Sequence, residues 1–230
     1  MASPLFWGQQ KTIQWKGNGA GMRQHITNRF TALNGAKDTE NPEAPMRWSG
    51  FRGDHDLSPA MKPRDELIPA AVLVPLVDRP AGLTVMLTQR TAHLNAHAGQ
   101  ISFPGGRVEP DDPSHVAAAL REAEEEVGLH PDRVDVIGRL DDYVVRTGFR
   151  VTPVVGFVNP PFDIKADPFE VAEVFEVPLS FILDTNNHET GTRMHDGQER
   201  TFYVLPYEDR YIWGATAGML VNLCEVLEEA

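Results

Sequence analysis

Three glutamates near the middle of the chain have the type and spacing that could bind a divalent metal ion. Glu122, Glu125 and Glu126 lie within four positions of one another, so a helix would place their carboxylates on one side. Hard cations such as Mg²⁺ bind several carboxylate oxygens that converge from one direction. Without a cation the arrangement is unfavourable, because like charges four residues apart on a helix cost roughly 0.2–0.5 kcal/mol.

Two explanations of this acidic run are open. Runs of charged residues usually form a solvated surface, and the three glutamates could do no more than that. The preceding Gly105 and Gly106 favour a binding site instead, because glycine lets the backbone approach a ligand closely. A turn that points backbone groups at a phosphate-bearing ligand would complete such a site.

The helix that must position the glutamates carries its own boundary signals. Asp112 suits the N-cap, Pro113 suits the first helical position, and Gly128 suits the left-handed residue after the last turn. The apolar residues of the run recur at helical spacing and would form one stripe that packs on a sheet. They are Val116, Ala119, Leu120, Ala123 and Val127.

Residues 105–129 resemble the Nudix box, G-x5-E-x7-R-E-U-x-E-E-x-G-U, in which U is aliphatic. Residues 121–129 fit the second half in register, with the small residue Ala123 at an aliphatic position. The resemblance implies an α/β fold, the Nudix α/β/α sandwich built around a mixed β-sheet. Strands and helices expected from the rest of the chain agree with a mixed sheet covered by helices on both faces.

The first half of the box departs from the family pattern. Counted back from Arg121, the box glutamate falls on Pro113 and the box glycine falls on Arg107. The nearest acids are Glu109 and Asp112, either of which could pair with Arg121. The departure concerns this ion pair and leaves the metal-binding half of the box intact.

The resemblance also implies a metal-dependent hydrolase that cleaves a diphosphate bond with the help of Mg²⁺ or Mn²⁺. Arg121 would orient the glutamates. The general base stays open between a helix glutamate and Glu170, an acid in a loop before a predicted strand, where solvated surface is the commoner role. The implied metal ligands are three carboxylates and a backbone carbonyl, those of Glu122, Glu125, Glu126 and Gly106.

A second motif precedes the glycines and resembles that of the coenzyme A diphosphatase branch, L-L-T-x-R-[S/A]-x3-R-x3-G-x3-[F/L]-P-G-G. Thr91 stands where serine or alanine is expected, and Asn95 replaces the second arginine. An arginine there could hold a phosphate at two points, so Asn95 weakens the substrate assignment more than the fold assignment. The matching positions are Leu87, Thr88, Arg90, Gly99 and residues 103–106.

Three residues in or beside this motif are candidates for substrate binding: Arg90, His97 and Gln100. His97 could equally serve as a structural hydrogen-bonding group. Tyr211 and Trp213 are assigned to packing under a closing helix.

The resemblance to that branch implies hydrolysis of coenzyme A or acyl-coenzyme A to 3′,5′-ADP and (acyl-)phosphopantetheine. One alternative is a diphosphatase for ADP-ribose, NADH or another nucleotide. Another alternative is a Nudix-fold module that binds a nucleotide without cleaving it. The repelling glutamates favour an enzyme, because a module without catalysis has no need of them.

Composition excludes several classes of binding partner and several cellular locations. A formal net charge of -12 and a pI of about 5.1 argue against nucleic acid or an anionic membrane surface as a partner. A small phosphorylated substrate could still bind through local basic residues and a metal ion. One cysteine, Cys224, excludes an internal disulfide and favours a reducing compartment, so we expect a cytoplasmic protein. The sequence shows neither an apolar run of about 18 residues nor a secretory signal.

The composition of the chain changes near residue 66, which indicates a boundary there. Residues 1–65 form an expected N-terminal extension, partly ordered, whose aromatic residues would pack on the domain or in a homodimer. Residues 66–230 form the expected hydrolase domain. We predict a helix at 22–33, strands at 70–77, 83–87, 134–140, 151–158 and 173–177, β-structure at 191–213, and an amphipathic closing helix at 215–228.

Overall fold

The computed structural model describes residues 19–38, 51–58, 66–93, 98–195 and 197–228, with the side chains of the first segment described for 21–33. Two residues discussed above, Asn95 and His97, therefore lie outside the described residues, as does most of the N-terminal extension. Within the described residues, no helix is both long enough and apolar enough to cross a membrane.

Among the described residues, nine strands form a mixed sheet, which confirms the predicted fold class. They are β1 (Arg52–Gly53), β2 (Ile68–Arg79), β3 (Gly82–Arg90), β4 (Ile101–Ser102), β5 (Gly105–Arg107), β6 (Val134–Arg139), β7 (Tyr143–Val145), β8 (Phe149–Val158) and β9 (Val171–Pro178). The central strand β2 is parallel to β8 and antiparallel to β3 and β5. A second sheet of three antiparallel strands contains β10 (Glu189–His195), β11 (Gln198–Tyr207) and β12 (Arg210–Trp213).

In the part of the chain that the structure describes, four helices accompany the sheets: α1 (Gly19–Asp38), α2 (His115–Val127), α3 (Leu179–Ile182) and α4 (Gly214–Glu228). Short 3₁₀ turns occupy Pro131–Arg133 and Thr185–Asn187. The strands and helices expected from the sequence are all present, most of them extended by one to several residues at either end.

Strand β2 is buried on both faces, which explains its almost continuous apolar sequence. Successive side chains of a strand point to opposite faces, so Ala71, Leu73 and Val77 pack with α2 on one side of the sheet. Val74 and Leu76 belong to the larger core on the other side, which also contains residues of α1 and α4. The sheet is thus covered by helices on both faces.

Helix α1 packs on the rest of the chain through two fully buried side chains, Ile26 and Phe30. Its Arg29 Nε donates to the carbonyl of Val226 in α4 at 3.0 Å. Part of the N-terminal 65 residues therefore completes the core of the same chain.

Helix α4 is not the amphipathic helix that the sequence predicts. Eleven of its residues are buried, including the polar Thr216 and Asn222. The side-chain oxygen of Asn222 accepts the Asp141 N–H at 3.2 Å, and Thr216 donates to the Ile101 carbonyl at 2.9 Å. These internal hydrogen bonds allow polar residues to face the core.

Candidate active site

Helix α2 begins two residues later than its sequence suggests. Ser114, not Asp112, is the N-cap, and its hydroxyl accepts the Ala117 N–H at 3.1 Å. The C-terminal prediction is confirmed, because Gly128 has a left-handed conformation (φ 69°) and its N–H donates to carbonyls of the last turn. The predicted apolar stripe is also confirmed: Ala119, Ala123 and Val127 are buried against the sheet.

Glu126 is a buried carboxylate that holds the glycine strand in place. It accepts the Gly105 N–H at 3.2 Å and lies 3.4 Å from Nη1 of Arg90. Burial raises the pKa of Glu126 to about 7, although the Gly105 hydrogen bond and Arg90 oppose the shift, and nearby Glu122 and Glu170 add to it. The ionised form of this carboxyl group is therefore unfavourable unless further positive charge lies nearby.

Glu122 occupies the space that a side chain at residue 106 would need. A Cβ built on Gly106 would lie 2.5 Å from the Glu122 carboxyl carbon. Burial raises the pKa of Glu122, whereas Arg121 lowers it. Gly106 therefore brings the β5 backbone directly beside the carboxylate, the close approach for which glycine is suited.

Arg121 joins the helix to the turn in front of it. It donates to Glu122 Oε1 and Glu125 Oε2, both at 3.0 Å, and to the Arg107 carbonyl at 3.2 Å. Two further bonds of 3.0 Å run from its Nε and Nη2 to the two carboxylate oxygens of Asp112. The bond to Asp112 is the largest contribution to the raised pKa of Arg121.

Asp112 is the site residue that counting back from Arg121 missed. Counted forward from Gly106, Asp112 takes the place of the box glutamate after five residues. Eight residues, one more than in the box, then separate it from Arg121. The structure thus shows one inserted residue and an aspartate that pairs with the arginine.

Glu125 differs from the other two helix glutamates in its exposure. Its side chain is 59% exposed, and its described partner is the Arg121 guanidinium at 3.0 Å. The triad is thus graded, with Glu126 enclosed, Glu122 partly enclosed and Glu125 open to solvent.

Glu170 reaches the same cluster from the loop before β9. Its carboxylate is 3.7 Å from Nη2 of Arg90, and its side chain is 44% exposed. Thr91 fixes the loop, because its N–H donates to the Glu170 carbonyl at 2.9 Å and its hydroxyl to the Phe169 carbonyl at 2.8 Å. The Asp167 N–H also donates to the Glu126 carbonyl at 2.9 Å, so the loop is tied to α2.

The donor chemistry of the cluster fits a hard divalent cation. Among the residues that the structure describes, no three or more acidic, histidine or cysteine side chains are already arranged as a metal site. Arg121 and Arg90 instead neutralise the carboxylates. The raised pKa values of Glu122 and Glu126 reflect burial and repulsion by neighbouring carboxylates, which a cation bound to their oxygens would relieve.

A cavity of about 540 Å³ adjoins the carboxylate cluster. It shares Arg90 and Gly105 with the surroundings of Glu126, and Gln100 also lines it. The main sheet, the second sheet and the first turn of α4 form its walls. Two of the three predicted substrate-binding residues are thus on this cavity, and the third, His97, lies outside the described residues.

Several cavity residues could not be identified from local sequence. Trp213 lines the cavity and lies 5.2 Å, ring to ring, from Phe202. Tyr211 is 54% exposed, so its assignment to packing under the helix is wrong. Arg193 and Arg200 also line the cavity. The sequence predicted β-structure for the region that contains both arginines. Only the pairing of β10 with β11 shows that the two residues are opposite each other.

Comparison with known proteins covers most of the chain. The NUDIX domain model matches residues 67–208. The uncharacterized Nudix hydrolase NudL of Escherichia coli strain K12 is 46% identical over 155 residues, which cover 67% of this chain and 80% of NudL. Solved structures that resemble the chain include the Nudix hydrolase RenU of M. Smegmatis, at 24% identity and a TM-score of 0.43 over 51% of this chain and 74% of that one.

Another similar structure is the NUDIX domain of Shewanella oneidensis NrtR in complex with ADP ribose, with 20% identity and a TM-score of 0.40 over 55% of this chain and 80% of that one. The family model and the similarity to NudL define the class of the protein as a hydrolase of pyrophosphate bonds. The chain belongs to the Nudix family.

Proposed function

We propose that this Nudix hydrolase cleaves the diphosphate bond of coenzyme A or acyl-coenzyme A, releasing 3′,5′-ADP and (acyl-)phosphopantetheine. The observation that carries the proposal is that the segment from Arg90 to Gly105 contacts both the cavity and the buried carboxylate. Described residues of this segment line the cavity, and both of its ends contact Glu126. The described part of the segment that resembles the coenzyme A motif therefore borders both the cavity and the buried carboxylate.

The metal ligands in this proposal are the carboxylates of Glu122, Glu125 and Glu126 with the carbonyl of Gly106. A bound Mg²⁺ or Mn²⁺ supplies charge neutralisation for the diphosphate and lowers the pKa of a bound water. The chain's contribution is positioning, since Arg121 holds Glu122 and Glu125 at 3.0 Å.

Arg90 is the proposed phosphate-binding group. Its guanidinium lies at the junction of cavity and carboxylates, and its buried Nε has no hydrogen-bond acceptor among the described residues. A phosphate oxygen bound here would accept from the guanidinium, whose Nη atoms lie 3.4 Å from Glu126 and 3.7 Å from Glu170. A charge-assisted contact of this kind is among the stronger hydrogen bonds in proteins.

Glu170 is the proposed general base. Its exposed carboxylate can reach solvent water, and its electrostatic coupling to Glu122 and Glu126 places it near the carboxylate cluster. A base must lie within hydrogen-bonding reach of the attacking water or reach it through one further water. Glu170 would take the proton on a carboxylate oxygen while the helix glutamates stay engaged with metal.

Product analysis tests the proposal. Purified protein is incubated with Mg²⁺ or Mn²⁺ and with coenzyme A, acyl-coenzyme A, ADP-ribose or NADH in parallel. Preferential formation of 3′,5′-ADP from coenzyme A is the expected result. Preference for ADP-ribose or NADH would replace the proposed substrate, and ligand binding without turnover of any of the four would indicate a non-catalytic nucleotide-binding module.

A further inference from the structure

The cavity wall formed by the second sheet brings two arginines together. Arg193 of β10 and Arg200 of β11 are directly opposite in the antiparallel register, and both line the cavity. Like charges directly opposite on neighbouring strands repel and destabilise the pair. An anionic group bound by both guanidinium groups would remove this repulsion.

The face of the second sheet that carries the two arginines also carries aromatic residues. Residues directly opposite in an antiparallel pair share a face, and the register places Gly191 opposite Phe202 and Val204 opposite Trp213. A Cβ on Gly191 would lie 2.8 Å from the Phe202 ring, so this glycine makes room for the ring. The cavity thus has adjacent surfaces for an anion and for a flat apolar group such as a base.

The charge of the cavity is opposite in sign to that of the chain. The whole sequence has a formal net charge of -12, yet the described residues that line the cavity include four arginines and one aspartate, Asp54. Asp54 already accepts hydrogen bonds from the Tyr143 hydroxyl at 3.1 Å and the Arg146 N–H at 3.0 Å. A locally basic cavity in an acidic protein favours an anionic ligand.

The cavity offers arginines on two different walls. Arg90 belongs to the main sheet beside the carboxylates, whereas Arg193 and Arg200 belong to the second sheet. The N-terminus of the 15-residue helix α4 also lines the cavity, and helix N-termini favour negative charge. A ligand that uses all of these groups must carry a second anionic centre apart from its diphosphate.

We propose that Arg193 and Arg200 bind a phosphomonoester on the nucleoside part of the substrate, apart from the diphosphate that is cleaved, with Phe202 and Trp213 against the base. The proposal rests on the proposed function for the position of the diphosphate. It assigns the selection of nucleoside bisphosphates over monophosphates to the second sheet.

Calorimetric binding to the full chain without added metal tests this assignment. The probes are adenosine 3′,5′-bisphosphate and adenosine 5′-monophosphate, which differ by one phosphomonoester. The wild-type protein is expected to bind the bisphosphate about tenfold or more tightly, since charge-assisted contacts are lost with the monophosphate. Arg193→Gln and Arg200→Gln should each remove most of this preference. Arg133→Gln, which changes the net charge equally at an exposed residue away from the cavity, should keep it.

Thermal unfolding of the variants separates binding from folding. Arg193→Gln should melt no lower than the wild type, because it removes a positive charge opposite Arg200 at an exposed strand position. Equal wild-type affinity for the two nucleotides, or a preference retained in both variants, would overturn the assignment.

Hydrolysis assays test the arginine site and the proposed coenzyme A hydrolysis separately. Relative kcat/KM for coenzyme A over dephospho-coenzyme A should fall in Arg193→Gln and Arg200→Gln. Turnover of coenzyme A with no discrimination between the two substrates would refute the arginine site while supporting the proposed function. Arginine-dependent preference for the bisphosphate without coenzyme A turnover would support the site and refute the proposed function.

Discussion

The Arg121 side chain donates to both carboxylate oxygens of Asp112, nine residues before it, with both distances at 3.0 Å. Asp112 is 7% exposed and also accepts the Glu109 N–H at 2.8 Å. Because the same guanidinium contacts Glu122 and Glu125, Asp112 fixes the arginine that fixes the glutamates. The turn before the helix is therefore connected to the carboxylate cluster by a bidentate ion pair.

Asp112→Asn should weaken both stability and turnover. Loss of the charge-assisted bonds is expected to lower the free energy of unfolding by about 1–3 kcal/mol. A less constrained Arg121 should reduce kcat by roughly tenfold to a hundredfold, because small misplacements of catalytic groups are costly. Denaturant unfolding and steady-state kinetics measure the two effects.

The matched control for this prediction is Glu109→Gln. Glu109 is the other nearby acid, and its side chain is exposed. It should leave both quantities close to wild type, and the reverse ranking of the two variants would contradict the role given to Asp112.

The lower pKa of Asp112 adds a pH dependence to its effect on stability. The Arg121 hydrogen bond is the main cause of the shift, so the folded-state pKa lies below the usual value for aspartate. Stabilisation from the pair is then complete above that usual value and is lost as the pH falls through the folded-state pKa. The stability difference between wild type and Asp112→Asn should accordingly shrink in acid.

The sequence predicted the local parts of the site well. Helix α2, its left-handed Gly128 and its apolar stripe depend on short-range spacing, and all are present. The partner of Arg121 stayed open between Glu109 and Asp112, because one inserted residue shifts a count made from one end of the box. An insertion in the turn is absorbed by the backbone without loss of the ion pair.

The remaining parts of the site depend on contacts between distant segments. Arg193 and Arg200 meet through the register of the second sheet, which no local pattern specifies. The burial of Asn222 in α4 was likewise unpredictable, because its partner Asp141 lies on another element. Hydrophobic periodicity assigns polar residues to the surface, so it does not predict polar residues that are buried with an internal hydrogen-bond partner.

Glu125→Gln should reduce turnover by orders of magnitude with little effect on folding. The exposed side chain contributes little to the core, so the free energy of unfolding should change by less than about 0.5 kcal/mol. A weaker metal site should raise the Mg²⁺ concentration required for half-maximal activity. Glu124→Gln, an exposed neighbour on the same helix, is the control and should behave as wild type. Full activity of Glu125→Gln at low Mg²⁺ would refute its role as a ligand.

Substitution of the two adjacent glycines should have different consequences. Gly105 has φ 154°, and a Cβ there would lie 2.5 Å from the Ala71 carbonyl oxygen, so Gly105→Ala should destabilise the fold by about 2 kcal/mol or more. At Gly106 the obstructing group is the end of the Glu122 side chain and not the backbone. Gly106→Ala should therefore retain most stability and lose activity and Mg²⁺ affinity. Calorimetric melting and metal-dependent kinetics measure the contrast, which equal melting temperatures for the two variants would contradict.

Thr91→Val should identify the contribution of the loop that carries Glu170. The substitution removes the hydroxyl that donates to the Phe169 carbonyl at 2.8 Å and keeps the backbone N–H that donates to the Glu170 carbonyl. Thr91 is buried, so the lost bond should cost about 1–2 kcal/mol of unfolding free energy. If the loop positions the base, kcat should fall while KM stays near wild type, because Glu170 acts in the chemical step.

Two further variants separate positioning from simple stabilisation. Thr91→Ser keeps the hydroxyl and should restore kcat even if the lost methyl group lowers the melting temperature. Glu170→Gln should lower kcat further than Thr91→Val, and additional Mg²⁺ should not rescue it, because the missing group is a base and not a metal ligand. A Thr91→Val protein with reduced stability and unchanged kcat would show that the hydroxyl only stabilises the fold, and that the position of Glu170 does not depend on it.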